Sequence, residues 1–322
     1  MDRDLSLNLA RVTEAAALSG AKYLGKGDKN AADGAAVDAM RRMFDTVHIN
    51  GTVVIGEGEI DEAPMLYIGE EIGTRGETDD AVDIAVDPID GTTAIANGMN
   101  NAIAVVAVAP KGCLLHAPDV YMKKIACGPK AKGKIRLEDS VEDNIRRVAE
   151  AIGKSPEEMT ISVLDRDRHE DLIRDIRATG ARIKKITDGD IVTAIYTCFE
   201  ESGIDMIMGI GGAPEGVIAA AALKCLGGDF QGKLMHYDEA QKKRCQELHS
   251  DLEKIYTIED LVIGDDVIFA ATGVSEGDLL KGVRFKKDNK ATTQSMVLRL
   301  PSKTIRFIDS IHDLRHKPEY AK

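Results

Sequence analysis

Asp87-Pro88-Ile89-Asp90-Gly91-Thr92-Thr93 sets two carboxylates three residues apart and follows them with two hydroxyls. Carboxylate oxygens crowded on a tight turn repel one another unless a cation lies between them. Cation binding is therefore the chemistry this stretch can do. For one such turn alone, a solvated bend whose Asp90 caps a helix is the plain alternative. Further acidic and glycine-rich loops weigh against it. Gly56-Glu57-Gly58-Glu59 puts Glu57 between two glycines, which let a backbone approach a ligand closely, and its carboxylate is the one to aim at a metal. Glu59, Asp61 and Glu62 read as solvated, and EF-hand spacing is not met.

Gly209-Ile210-Gly211-Gly212-Ala213-Pro214-Glu215-Gly216 reads as a loop from a strand into a helix that begins near Pro214, with free N–H groups forming an anion nest. It has neither the lysine of a P-loop nor Rossmann spacing. Glu215 would lie in the first helical turn, where a favourable meeting with the helix dipole is the alternative to ligation. Asp165-Arg166-Asp167-Arg168-His169 and Asp188-Gly189-Asp190 each follow a strand. The arginines could clamp a phosphate through planar, bidentate contacts, or pair with the neighbouring acids. Tyr121, on an apolar strand, reads as a core or rim residue. The seven histidines show no metal-ligand spacing, and none is assigned a catalytic role. Carboxylates after three strands, an anion nest and an arginine pair together make up what a two-metal phosphate-cleaving site requires. Two cations roughly 3.5–4 Å apart would polarise the phosphoryl oxygens and lower the pKa of an attacking water.

The elements that must position these residues follow from periodicity. Helices are expected over 5–24 and 30–47, with Asp33 in the first turns of the second and on a different side from Val37. Strands are expected at 52–55, at 81–87 (stopped by Pro88, which has no N–H for the ladder), at 102–109 and at 120–127. A helix over 137–153 closes this half. Beyond it, strands at 161–164, 182–186 and 204–208 alternate with helices at 169–180, 190–201 and 214–226, the rhythm of an α/β sheet with helices packed on it. A strand at 267–271 and a hairpin of 294–300 with 303–308 come last. The expected organisation is a subdomain over 1–158 holding the metals and another over 159–322 completing the substrate site.

At 322 residues the chain exceeds one ordinary core. A net charge of −12 argues against a general nucleic-acid binder and against an anionic membrane surface. The five cysteines are scattered without a C-x-x-C pair, and four of them, in apolar or helical surroundings, read as buried thiols in a reducing compartment. No secretory signal or bilayer-length apolar run is legible, so the cytoplasm is the expected location.

The Asp-Pro-Ile-Asp-Gly-Thr turn is similar to the metal-binding signature of the lithium-sensitive sugar and inositol phosphatases. Residues 56–66 and 209–216 narrow the likeness, and over essentially its whole length the chain resembles class II fructose-1,6-bisphosphatase of the GlpX type. The resemblance implies a sugar-phosphatase fold, an α/β (α+β) sandwich layered α/β/α/β/α in two subdomains, and dependence on Mn²⁺ or Mg²⁺. It implies hydrolysis of fructose 1,6-bisphosphate to fructose 6-phosphate and phosphate in gluconeogenesis. By position, Asp33 and Glu57 match the ligands of one metal, and Asp87, Asp90 and Glu215 those of the second. Asp90, Gly91, Thr92, Tyr121, Arg166, Asp167, Arg168, Asp188, Gly189, Asp190 and Gly212 match substrate contacts. Thr92, with Asp90 and Glu57, matches the catalytic group, its hydroxyl orienting or activating the attacking water. Some members carry Glu where Asp90 stands, and either side chain supplies the oxygen. A homo-oligomer, dimer or tetramer, is expected. Competing readings are action on sedoheptulose 1,7-bisphosphate or an inositol phosphate, and a non-catalytic sugar-phosphate or cation sensor on the same fold.

Overall fold

The computed structural model describes residues 1–58, 65–248 and 250–321. Glu59, Asp61 and Glu62, expected to be solvated, lie outside the described residues, as does His249. The chain opens with α1 (Leu5–Gly20) and α2 (Lys29–Phe44), the second capped by the Asp28 carboxylate, which accepts the Ala31 N–H at 2.9 Å. Then come β1 (Asn50–Ile55), β2 (Glu71–Ile72), β3 (Ala81–Asp90), α3 (Thr92–Ala96) and β4 (Ile103–Pro110). A middle stretch carries β5 (Tyr121–Cys127), α4 (Val141–Ile152), β6 (Thr160–Leu164), α5 (Glu170–Ala178), β7 (Arg182–Ile186), α6 (Asp190–Tyr196), β8 (Met206–Gly212) and α7 (Ala213–Leu226). It continues through β9 (Asp229–Met235), α8 (Glu239–Glu247), β10 (Tyr256–Thr257) and α9 (Ile258–Leu261). The chain ends in β11 (Ile268–Gly273), β12 (Arg284–Lys286), β13 (Lys290–Arg299) and β14 (Thr304–Asp313). The fold class is mixed α/β, built on two mixed sheets.

The chain divides into a unit of Met1–Leu114 with Gly264–Lys322 and a unit of Leu115–Ile263, not at residue 158. Hydrogen bonding gives the reason. β5, which precedes residue 158, pairs with β8 and β9, which follow it. β11 and β13, far along the chain, rejoin the sheet of β4. Strand pairing set the division where linear rhythm could not show it.

In the first unit the sheet runs β12-β13-β11-β4-β3-β1-β2, with β14 along the whole of β13. β1 and β3 are parallel, and the other pairs are antiparallel. Leu9, Val12, Met40 and Phe44 from the helices meet Val53, Ile84, Val106 and Ile268 from the sheet in one buried core. Alanines 15 to 17 are fully covered, and their small side chains let α1 lie close against its neighbours. Thr13 adds a hydroxyl bond to Thr272 at 2.7 Å.

In the second unit the order is β10-β9-β5-β8-β6-β7. β6 lies parallel to β7 and β8, whereas β5 is antiparallel to β8 and β9. Ile125, Ile145, Val148, Met159, Ile161, Ile176 and Met206 form its core. Among the described residues, no helix is long and apolar enough to cross a membrane.

Candidate active site

In the first unit, β3 does not stop at Pro88. It runs on to Asp90, and the pairing changes on the way: Asp87 faces Val105 and Asp90 faces Ile103, so three steps on β3 span two on β4. This bulge accommodates a residue that has no N–H to give the ladder. Asp87 there accepts the Ile89 N–H at 3.0 Å, and Asp90 is buried at the end of the strand. Gly91 follows at φ +105, where a β-carbon would press on Ala102, and serves as the N-cap of α3 with Thr92 as its first residue. The N-cap position of α3 is thus filled by glycine, one residue after Asp90.

Glu57 leaves β1 with its N–H on the Leu66 carbonyl at 3.0 Å. A β-carbon on Gly56 would overlap that carbonyl, so the close approach needs glycine. From α2, Asp33 reaches the Glu57 carboxyl and hydrogen-bonds to it. Two carboxylates cannot do this while both are charged. Burial, then the Asp33 charge, pushes Glu57 up to about 8, and burial raises Asp33 as well.

The second unit gathers another group. The glycine-rich residues 209–212 are not a loop. They are the end of β8, laddered to β5 from Lys124↔Gly209 to Tyr121↔Gly212, and α7 starts at once with Ala213. Their purpose is close approach of side chains, not a nest. A β-carbon on Gly211 would overlap the Asp190 carboxylate and lie 2.8 Å from Lys124 Cε, and one on Gly212 would overlap the Glu215 carboxylate. Lys124 Nζ pairs with Asp190 at 2.5 Å and donates to the Gly212 carbonyl at 3.0 Å. Glu215 Oε2 is buried without a hydrogen-bond partner. Burial, then the Asp190 charge, raises the Glu215 pKa, with Lys124 opposing. Two carboxylates share one ammonium, which leaves one negative charge uncompensated.

Beside this group Arg168 stacks on Tyr121, its guanidinium 4.8 Å from the ring centre, and donates to the Ile210 carbonyl at 2.8 Å. Tyr121 is a rim residue, 37% exposed. Arg166 donates to Thr187 O at 2.8 Å and lies 3.6 Å from Asp188, and exposed Asp167 sits between the two arginines. Gly189 takes φ +80 to start α6, which presents Asp190 from its first position.

Residues 3–312 match the family described as bacterial fructose-1,6-bisphosphatase, glpX-encoded. The chain belongs to that family. It is 50% identical to "Fructose-1,6-bisphosphatase 1 class 2" of Escherichia coli (strain K12), covering 98% of this chain and 97% of that one. The same figures hold for "Fructose-1,6-bisphosphatase class 2" of Shigella flexneri.

Within this bisphosphatase-family chain, sequence reasoning overlooked two residues that organise the second unit. Lys124 is buried in an otherwise apolar part of β5, and a lysine breaking an apolar strand was the available signal. Buried His169 carries Nδ1 2.7 Å from the Leu164 carbonyl, and its Nε2 accepts the Ile210 N–H at 2.8 Å. That pattern fixes a neutral ring with the proton on Nδ1, and no spacing in the sequence announces it.

Among the described residues, no group of three or more His, Cys, Asp and Glu side chains is gathered closely enough to hold a metal ion. The carboxyls stand in pairs. Their chemistry still fits a hard divalent cation: all donors are oxygen, Asp33 and Glu57 are pressed together, and Glu215 keeps a buried oxygen with no donor on it.

Proposed function

We propose that this chain hydrolyses fructose 1,6-bisphosphate at its 1-phosphate, giving fructose 6-phosphate and phosphate in gluconeogenesis. The observation that carries the reading is the accumulation of buried carboxyls with too few cations to match them, in a chain half identical to named fructose-1,6-bisphosphatases. Mn²⁺ or Mg²⁺ would be held by Asp33 and Glu57 at one position, and by Asp87, Asp90 and Glu215 at the other. When bound, the ions supply neutralisation of phosphoryl charge and a lowered pKa for the attacking water.

The protein's own groups account for positioning. Phosphate-monoester hydrolysis is extremely slow in water, so orientation and charge complementarity must lower the barrier greatly. Arg168, locked against Tyr121 and Ile210 O, offers its remaining donors to a phosphate with little rotamer freedom left to lose. Arg166 and Asp167 line the same edge. Asp188, Gly189, Asp190 and Gly212 contact the sugar phosphate. Thr92, with Asp90 and Gly91, orients the water for attack. The enzyme works in the cytoplasm as a homo-oligomer, dimer or tetramer.

Phosphate release with Mn²⁺ or Mg²⁺ tests this. Fructose 1,6-bisphosphate should turn over faster than sedoheptulose 1,7-bisphosphate or an inositol phosphate, and Li⁺ should inhibit. Asp90→Ala and Glu57→Gln should fold and lose turnover. Near-normal turnover by Asp90→Ala would overturn the site assignment, and tight sugar-phosphate binding without hydrolysis in the metal-loaded chain would point to a sensor.

A further inference from the structure

We infer that the chain carries a second anion site, in the first unit and separate from the proposed substrate residues, that takes a small, multiply charged phosphate compound. A cavity of about 510 Å³ opens where the start of α1 meets the β13–β14 hairpin. Arg3, Arg299 and Arg306 line it together with Ser6, Val297 and Ile308. Its volume lies within the range of pockets that enclose small organic ligands.

Three observations point to an anion. None of the three guanidinium groups is in an ion pair among the described residues, although the chain has an excess of twelve acids; Arg299 donates only to the Met1 carbonyl, at 3.1 Å. Two donors lining the cavity are buried with no acceptor: Arg299 Nε and Ser6 Oγ, the serine being only 8% exposed. Buried donors are costly to leave unmatched, and both belong to side chains that border the cavity. The third observation is α1 itself. This 16-residue helix begins at the cavity with no acidic residue in its first turn, so its positive end adds to the field.

The same surroundings set the ligand's charge. Asp4, also on the lining, caps no helix N–H with its side chain and offsets one of the three arginines. Two positive charges remain, which suits a compound with two or more negative charges. Val297 and Ile308 give it an apolar wall for a carbon skeleton.

Pyrophosphate added to the full-length chain is the probe, read by site-resolved hydrogen exchange and by equilibrium dialysis. It should slow amide exchange in peptides covering residues 2–8 and 299–308. Arg3→Gln combined with Arg306→Gln, both at exposed positions, should weaken its binding by roughly tenfold or more while leaving phosphate release from fructose 1,6-bisphosphate within about twofold. Arg168→Gln should leave the protection at 2–8 and 299–308 in place. Unchanged affinity in the double variant, or protection that disappears with Arg168→Gln, would overturn the proposal.

Discussion

The Glu215 carboxylate occupies the space in which a β-carbon on Gly212 would sit. A side chain folded back onto its own N-cap residue is held there by the absence of an atom, so the glycine positions a carboxylate. Gly212→Ala should fold, because the atom it displaces is the far end of a flexible side chain. Phosphate release should fall by about 10–100-fold, with a higher Mn²⁺ requirement. Gly56→Ala makes the contrast: its β-carbon would strike the Leu66 carbonyl, which is backbone, and the variant should lose stability in thermal melts. Full activity in folded Gly212→Ala would mean that Glu215 has no part in holding a metal.

The carboxyl pair of Asp33 and Glu57 predicts a pH dependence that added metal opposes. Glu57 titrates at about 8 in the folded chain against a usual 4.5, so the folded state favours its proton. For this group the stabilising contribution is complete below about 4.5 and is lost as pH rises through about 8. The melting temperature of the EDTA-treated chain should therefore fall between pH 5 and pH 9, and Glu57→Gln should flatten that fall. A divalent cation takes the place of the proton, so the rise in melting temperature produced by Mn²⁺ should grow across the same window. A metal-induced shift that is constant with pH would separate this pair from metal binding.

The mixed α/β class, the family and most of the elements were legible beforehand, for definable reasons. The carboxylates at 33, 57, 87, 90 and 215 sit beside strand ends and helix starts whose periodicity is local. The local setting of each could therefore be read from turn chemistry, and their grouping into a site remains what the family resemblance implies. What escaped was set by partners distant in sequence. Pro88 looked like a strand terminator because a bulge depends on β4, fifteen or so residues on. The glycine-rich residues 209–212 looked like a phosphate loop because the side chains that Gly211 makes room for, Lys124 and Asp190, come from other elements. The division into units failed for the same reason, since β11 and β13 return to a sheet begun long before them.

His169 ties the end of β6 to that glycine run, and its removal should be felt at the arginine beside it. Its ring joins the Leu164 carbonyl to the Ile210 N–H, and Arg168 donates to the Ile210 carbonyl. His169→Ala leaves both backbone groups unmatched, at about 1–3 kcal/mol each. The variant should melt lower and show a raised KM with a smaller change in kcat. Burial also lowers the His169 pKa below its usual 6.5. Its contribution is therefore present above about 6.5 and lost as pH falls through the folded value, because a protonated Nε2 can no longer accept from Ile210. Wild-type stability should show an acid-side decline that a His169→Gln variant lacks. Matching acid-side profiles for the two proteins would refute the role given to the ring.

Lys124 offers the sharpest separation of stability from catalysis. It is 5% exposed, and it sets a positive charge against Asp190 while opposing the rise in the Glu215 pKa. Lys124→Met keeps the volume and removes the charge, leaving two buried carboxylates to face one another. Breaking a buried pair in this way costs about 3–5 kcal/mol, and one carboxyl should take up a proton, moving the acid limb of the pH–rate profile upward. Adding Asp190→Asn to Lys124→Met should recover much of the stability, since one uncompensated carboxylate then remains, as in the wild type, and not two. Activity should stay low, because the Asp190 carboxylate proposed to contact the sugar phosphate is gone as well. Thermal melts and pH–rate profiles of the two single variants and the double variant decide the matter: recovery of both quantities together would make Asp190 a structural residue only.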